Sequence, residues 1–385
     1  MALEALRPRA ACGDAKMGAK HRPMSTATFE TVDVSADEPY ARNRFAIRVW
    51  LTVVAIMVVS LVVVGGATRL TESGLSITEW KPIHGVVPPL SAAEWQEEFE
   101  LYKRIPQYQE INRGMSLDAF KTIYWWEWAH RLLARGVGIV FALPLAFFWL
   151  TGRLEPFLKP RLSAVLALGA VQGGIGWWMV SSGLVERTDV SQYRLATHLT
   201  IASIILASTV WIADGLKRRP IVAPPTAGSL PVALFIVGLA LLQIYLGGLV
   251  AGLNAGLIYN TWPLIDGAFI PSGLFAMEPA WRSLFEDYLT VQFMHRMTAY
   301  TLFAVVLIHA LAAQRLSPGT RHARSAWILV GAVLVQALIG ITTLLLVVPI
   351  GWALLHQLFG MVVLILAVAH ARGLKGEYPR PAFAH

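Results

Sequence analysis

Four histidines, His130, His198, His295 and His356, each lie about six to eight residues inside the outer end of an alternate hydrophobic span. Imidazole is a standard axial ligand of haem iron, and a pair of histidines on two helices of a bundle suits six-coordinate iron. A zinc or non-haem iron site would want further carboxylate, histidine or thiolate donors. Only the first half of the chain offers one, Glu127, three residues before His130 on the same helix face. A lone intramembrane histidine is ordinarily a polar residue hydrogen-bonded across helices. Four at matched depth point to function, because ionisable groups in a bilayer are costly and are kept for a use.

Around these histidines the two halves of the chain differ. The first carries Glu127 in WEWAHR and the second carries Gln292 in QFMHR. A buried carboxylate beside a haem is a candidate general acid or base; the plainer reading makes it a hydrogen-bond partner for the outer loop. Arg131 and Arg296 follow the histidines directly and suit haem propionates, or else a pairing with Glu127 or a loop acid. His309 and His370 have no repeat partner and are expected at the interface on the cytoplasmic side. His21, His84, His322 and His385 are read as loop or tail residues.

The elements that must position these groups are membrane spans. Hydrophobic residues make up 56% of the 385 and charged residues 15%, with a mean hydropathy of +0.55; a soluble protein carries roughly 25% charged side chains. Apolar runs long enough to cross the bilayer as helix fall near 46–68, 123–150, 162–181, 194–213, 231–252, 289–312, 326–347 and 351–370. The fold class is therefore an all-α integral membrane protein with eight transmembrane helices. Basic residues gather after every second span: Arg153, Lys159 and Arg161; Lys217, Arg218 and Arg219; Arg315, Arg321 and Arg324; Arg372, Lys375 and Arg380. The positive-inside rule makes those ends cytoplasmic, with both termini inside. The net charge of +8 then reflects topology and anionic lipid, and nucleic acid is not implied. Residues 1–44 read as a polar cytoplasmic tail without the apolar core of a cleaved signal, a transit peptide being the alternative. The single cysteine, Cys12, excludes an internal disulfide, an iron–sulfur cluster and covalent CxxCH haem attachment.

The chain also contains itself twice. GGATRLTESGLSITEWKPIHGVVPP at 65–89 aligns without a gap on GGLVAGLNAGLIYNTWPLIDGAFIP at 247–271. Downstream, His130-Arg131 matches His295-Arg296, Gln172 and Gly176 match Gln336 and Gly340, and His198 matches His356. Each unit has an even number of spans, so the expected architecture is two tandem four-helix bundles related by a pseudo-twofold axis along the membrane normal. Their limits are 45–220, with a long outer loop at 69–122, and 221–372, followed by a cytoplasmic tail at 373–385. The glycine pairs 65–66 and 247–248 are read as close-packing surface between helices.

These motifs, GGATRLTESGLSITEWKPIHGVVPPL, Glu127-Trp-Ala-His130-Arg131, Gln172, His198, Asn260-Thr-Trp-Pro263, His295-Arg296 and His356, together resemble the haem A synthase family of the alphaproteobacterial and mitochondrial type. The resemblance spans about residues 45–372. It implies an inner-membrane oxidoreductase that converts the C8 methyl of haem O to the formyl group of haem A, through alcohol and gem-diol. It carries His130 and His198 over as histidines of the haem O site, Glu127 as its acid or base, and His295 and His356 as ligands of a haem b cofactor. It implies haem O synthase, the protohaem farnesyltransferase, and cytochrome oxidase assembly factors as partners, membrane lipid as surroundings, and leaves a homo-oligomer open. The location it implies is the bacterial inner membrane, or the mitochondrial one. Some bacterial members carry a cysteine pair in the first outer loop; this chain has none there. Two other readings stay open at this point: a diheme b-type cytochrome working between quinone and a partner, and a parallel-repeat transporter.

Overall fold

A computed structural model describes residues 38–79, 84–185, 187–218 and 229–378. Eight helices are long and apolar enough to cross a membrane: α1 (Glu38–Leu70, with Arg42–Leu70 as the span itself), α2 (Leu117–Leu150), α3 (Leu158–Ser181), α4 (Gln192–Gly215), α5 (Ser229–Gly252), α6 (Tyr288–Leu316), α7 (Arg321–Leu345) and α8 (Ile350–Lys375). Strands are absent among the described residues, which hold one isolated bridge between Ile265 and Ala268.

Several helices begin before the apolar run that announced them. Ser116, Asp287 and Thr320 each accept a backbone N–H from the first turn, of Ala119, Thr290 and Ala323, and so start α2, α6 and α7. The apolar run marks what lipid covers, whereas the capping side chain marks where the backbone donors are satisfied. In the same way α1 begins at Glu38, inside the stretch read from sequence as a polar tail; the rest of that tail, with Cys12, lies outside the described residues.

Little of the apolar surface is inside the protein. Leu150 is 85% and Leu143 66% exposed, as suits helices whose solvent is hydrocarbon. What is buried falls into two main clusters. One draws on α1 to α4, through Leu51, Val54, Phe141, Leu162 and Leu206, with Met361 of α8 joining it. The other draws on α5 to α8, through Ile236, Leu302, Val306, Leu329 and Val363. Helix α4 packs on α5 and on α8. Helix α8 reaches α1 through Gln357, whose amide donates to the Val62 carbonyl at 3.0 Å.

The loop between α1 and α2 carries a helix, Ala92–Tyr102, closed by a capping box of Ser91 and Glu94. The Leu90 and Ser91 backbone N–H groups hold the Glu94 carboxyl below the usual carboxylate range. Phe99 stacks on Phe120 with ring centroids 5.0 Å apart, fastening this helix to the start of α2. Near the start of α1 and the end of α8, Arg44 makes a two-pronged pair with Glu155 at 2.7 and 2.8 Å and also reaches the Tyr378 carbonyl. Tyr378, in the stretch read as a tail, is buried and donates its N–H to Gly215.

Candidate functional site

Each of the four repeat-related histidines lies on a glycine of the helix beside it. A Cβ placed on Gly65 of α1 would come within 2.8 Å of His130 Cε1 on α2, and one on Gly247 of α5 within 3.2 Å of His295 Cε1 on α6. A Cβ on Gly176 of α3 would lie 3.1 Å from His198 Cε1 on α4, and one on Gly340 of α7 2.6 Å from His356 Cε1 on α8. These approaches are closer than ordinary carbon contacts of about 3.5 Å, so a side chain on the neighbouring helix would displace the ring. The glycine pairs therefore divide their work. The first member of each pair seats an imidazole, while the second lets helices approach: Gly66 meets Gln357, and Gly248 meets Ala196. Sequence reasoning gave both to helix packing and missed the seat.

In each half the two histidines stand on alternate helices, His130 on α2 with His198 on α4, and His295 on α6 with His356 on α8. All four residues are intermediate in exposure. Among the described residues no group of three or more His, Cys, Asp or Glu converges as a metal site; pairs of imidazoles are what the halves offer.

The surroundings of the two pairs are not alike. Gln172 and Gln336, matched by the repeat, both donate their amides to a backbone carbonyl, of His198 and His356 respectively, at 2.9 Å. In the second half the amides also meet the rings: Gln336 Nε2 is 3.2 Å from His356 Nδ1, and Gln243 Nε2 is 3.1 Å from His295 Nδ1. In the first half Nδ1 of His130 and Nδ1 of His198 are buried without a hydrogen-bond partner.

Glu127 is buried and accepts three bonds: from Ser76 Oγ at 2.7 Å, from the Ile77 N–H at 2.7 Å and from Arg131 at 2.5 Å. Arg131 also donates to the carbonyls of Ile77 and Glu79. The second half repeats this with an amide. Gln292 donates to the Tyr259 carbonyl at 2.7 Å, and Arg296 reaches the carbonyls of Tyr259 and Leu264. Ile77 and Tyr259 are aligned residues of the repeat, so each helix is pinned to the same point of its outer loop. Of the two roles open to Arg131, the structure displays the pairing with Glu127; Arg296 meets loop carbonyls. This anchoring lay in the repeat itself, as the position of Glu127 and Gln292 opposite matched loop segments.

His309 and His370 depart from expectation. They are buried, their Nε2 atoms are 2.8 Å apart, and Ser325 Oγ lies 2.7 Å from His370 Nδ1. Residues on α6, α7 and α8 thus satisfy one another inside the protein. Of the histidines set aside as loop or tail, His21 and His385 lie outside the described residues, as does the side chain of His84.

The described residues thus form an eight-span helical membrane protein with four imidazoles, each seated on a glycine of a neighbouring helix. Comparison agrees with this class. The profile of the COX15-CtaA family, cytochrome oxidase assembly proteins, matches residues 48–368, and the chain belongs to that family. It is 64% identical to the heme A synthase of Sinorhizobium medicae over 88% of this chain and 92% of that one. It is 63% identical to the heme A synthase of Rhizobium meliloti, covering 94% and 97%, and 60% identical to that of Agrobacterium fabrum, covering 93% and 98%.

Proposed function

We propose that this multi-pass membrane protein is a haem A synthase, an oxidoreductase that takes the C8 methyl group of haem O to the formyl group of haem A for cytochrome oxidase. The observation that carries the reading is the pair of glycine-seated imidazoles in each half, within a chain that belongs to this family. We further propose the architecture of two tandem four-helix bundles. It is supported by the two core clusters, by matched glycine seats on the first and third helices of each half, and by matched loop anchors at Ile77 and Tyr259.

In this reading His295 and His356 hold a resident haem b, and His130 and His198 receive the substrate. The contrast between the pairs supports the division. Rings restrained by Gln243 and Gln336 suit a group that stays, while rings whose Nδ1 atoms have no partner suit one that enters and leaves. Haem b, when bound, supplies one-electron transfer. Glu127 is the proposed acid or base, one helical turn from His130. Three donors hold its carboxyl group in place, and the same bonds hold the outer loop against the first half, which helps to exclude water there. Arg131 and Arg296 keep that loop and its counterpart in place; they are proposed as the nearest cations for propionates.

Haem O synthase, which makes the substrate, and assembly factors that receive the product are the proposed partners. The distribution of arginine and lysine supports an inner-membrane setting with cytoplasmic termini. The test is pigment extraction from cells that lack other haem A synthase and express this chain. Haem A must appear, and it must vanish with His130→Ala or His198→Ala while a low-spin haem b spectrum persists. A diheme cytochrome would leave haem O unchanged.

A further inference from the structure

In the second half a glutamine stands where the first half has a leucine. The gap-free match of Gly65 with Gly247 places Leu61 opposite Gln243, one turn earlier on the first helix of each half. The equivalence is also spatial, since the backbone of Leu61 lies against His130 as that of Gln243 lies against His295. Only the side chain differs. The Leu61 side chain offers the imidazole no polar atom. The Gln243 amide nitrogen sits 3.1 Å from His295 Nδ1 and 3.2 Å from Nε2, and its Oε1 is buried without a hydrogen-bond partner.

An amide with a free carbonyl oxygen is costly to bury in a helix bundle. It is retained where it has a task. An imidazole that gives one nitrogen to a metal keeps an N–H on the other, and an acceptor for that N–H fixes the tautomer, orients the ring and raises its basicity. Turned about its terminal bond, the Gln243 amide would present Oε1 to His295 as such an acceptor, in place of the Nε2 that now faces the ring. Gln336 has a corresponding free Oε1 near His356, but its counterpart Gln172 is present in the first half, so it does not distinguish the halves.

We infer that Gln243 is a positioning residue for His295, giving the second-half imidazole a side-chain hydrogen bond that its first-half counterpart lacks, and so tuning the electron affinity of the haem that His295 would hold. The inference rests on the assignment of His295 and His356 to haem b. Replacing Gln243 by Leu would make the second half imitate the first.

The experiment uses full-length purified protein in detergent: wild type, Gln243→Leu, Gln243→Glu and His295→Ala. Haem retention after gel filtration, the low-spin electron paramagnetic resonance g values and the midpoint potential are measured. Gln243→Leu should retain haem about tenfold or more weakly, with shifted g values and a raised potential. Gln243→Glu, a stronger acceptor of nearly the same shape, should retain haem and lower the potential below that of wild type. A merely structural glutamine would not move the potential in opposite directions. Wild-type retention, g values and potential in both Gln243 variants would overturn the role of Gln243. An unaltered bis-imidazole spectrum in His295→Ala would instead overturn the ligand assignment beneath it.

Discussion

Alanine at the four seating glycines should damage the protein in a graded order set by distance. A carbon contact is comfortable at about 3.5 Å. The new Cβ would lie 2.6 Å from His356 Cε1 at Gly340, 2.8 Å from His130 at Gly65, 3.1 Å from His198 at Gly176 and 3.2 Å from His295 at Gly247. The ring must then withdraw by about 0.9 Å at Gly340 but only by about 0.3 Å at Gly247. Overpacking of this kind costs about 1–3 kcal/mol, and a displacement near 1 Å at a reacting or ligating group costs on the order of 100-fold. Gly340→Ala should therefore lose most of its low-spin haem, roughly 10- to 100-fold in retention, and Gly247→Ala only a few-fold. Gly65→Ala should leave haem b in place and lower haem A output, more severely than Gly176→Ala. Gly331→Ala on α7, where nothing lies within 4 Å, is the control and should gain up to about 1 kcal/mol of helix stability. The assay is the absorbance spectrum and haem content of purified variants, with extracted haems O and A separated by chromatography. Equal haem content and equal spectra in Gly340→Ala and Gly331→Ala would refute the seating argument.

Glu127→Gln imitates Gln292 and removes a titratable proton, so haem should stay bound while haem A output falls by about 10²- to 10⁴-fold; wild-type output would assign the carboxylate to loop anchoring alone. Glu127→Ala leaves Arg131 without its buried partner and should destabilise the first half by about 3–5 kcal/mol, seen as a lowered melting temperature and faster proteolysis of the outer loop. Glu286 accepts from Tyr193 at 2.6 Å and from Arg282 at 2.6 Å, and the Arg282 hydrogen bond foremost holds its carboxyl below the usual range. A depressed carboxyl stabilises above its unfolded value and loses that contribution as pH falls through the folded one, so this contact should weaken on the acid side of the ordinary carboxylate range, and Glu286→Gln should flatten the acid limb of a melting-temperature profile. His309→Phe breaks the 2.8 Å bond to His370 and should cost about 1–3 kcal/mol without removing the haem b spectrum.

Much of this was legible in the sequence because the bilayer simplifies the problem. A run of twenty apolar residues has few alternatives to a spanning helix, and all eight runs became helices. The duplication then marked the histidines, since His130 and His295 are equivalent only if the halves are. Helix starts were less legible, because Ser116, Asp287 and Thr320 act through backbone geometry that hydropathy does not record. The pairing of His309 with His370 was hidden for another reason: 61 residues separate them, and neither has a repeat partner. Gln243 was overlooked because its meaning lies in a difference, a glutamine against Leu61, and that difference matters only once the ring beside it is known. The Glu127 anchor to Ser76 and Ile77 joins helix to loop across 51 and 50 residues, a contact whose acceptor was visible in the sequence and whose donors were not.

The central claim is that one histidine pair holds a haem and the other presents a substrate haem for oxidation. It is tested most directly by quantifying haems B, O and A in cells without their own haem A synthase, expressing wild type, His130→Ala or His295→Ala, alongside spectra of each purified protein. The account predicts haem A from wild type; none from His130→Ala, which keeps its low-spin haem b and accumulates haem O; and loss of that haem b spectrum from His295→Ala. Undiminished haem A from His130→Ala, or an intact haem b spectrum from His295→Ala, would contradict it.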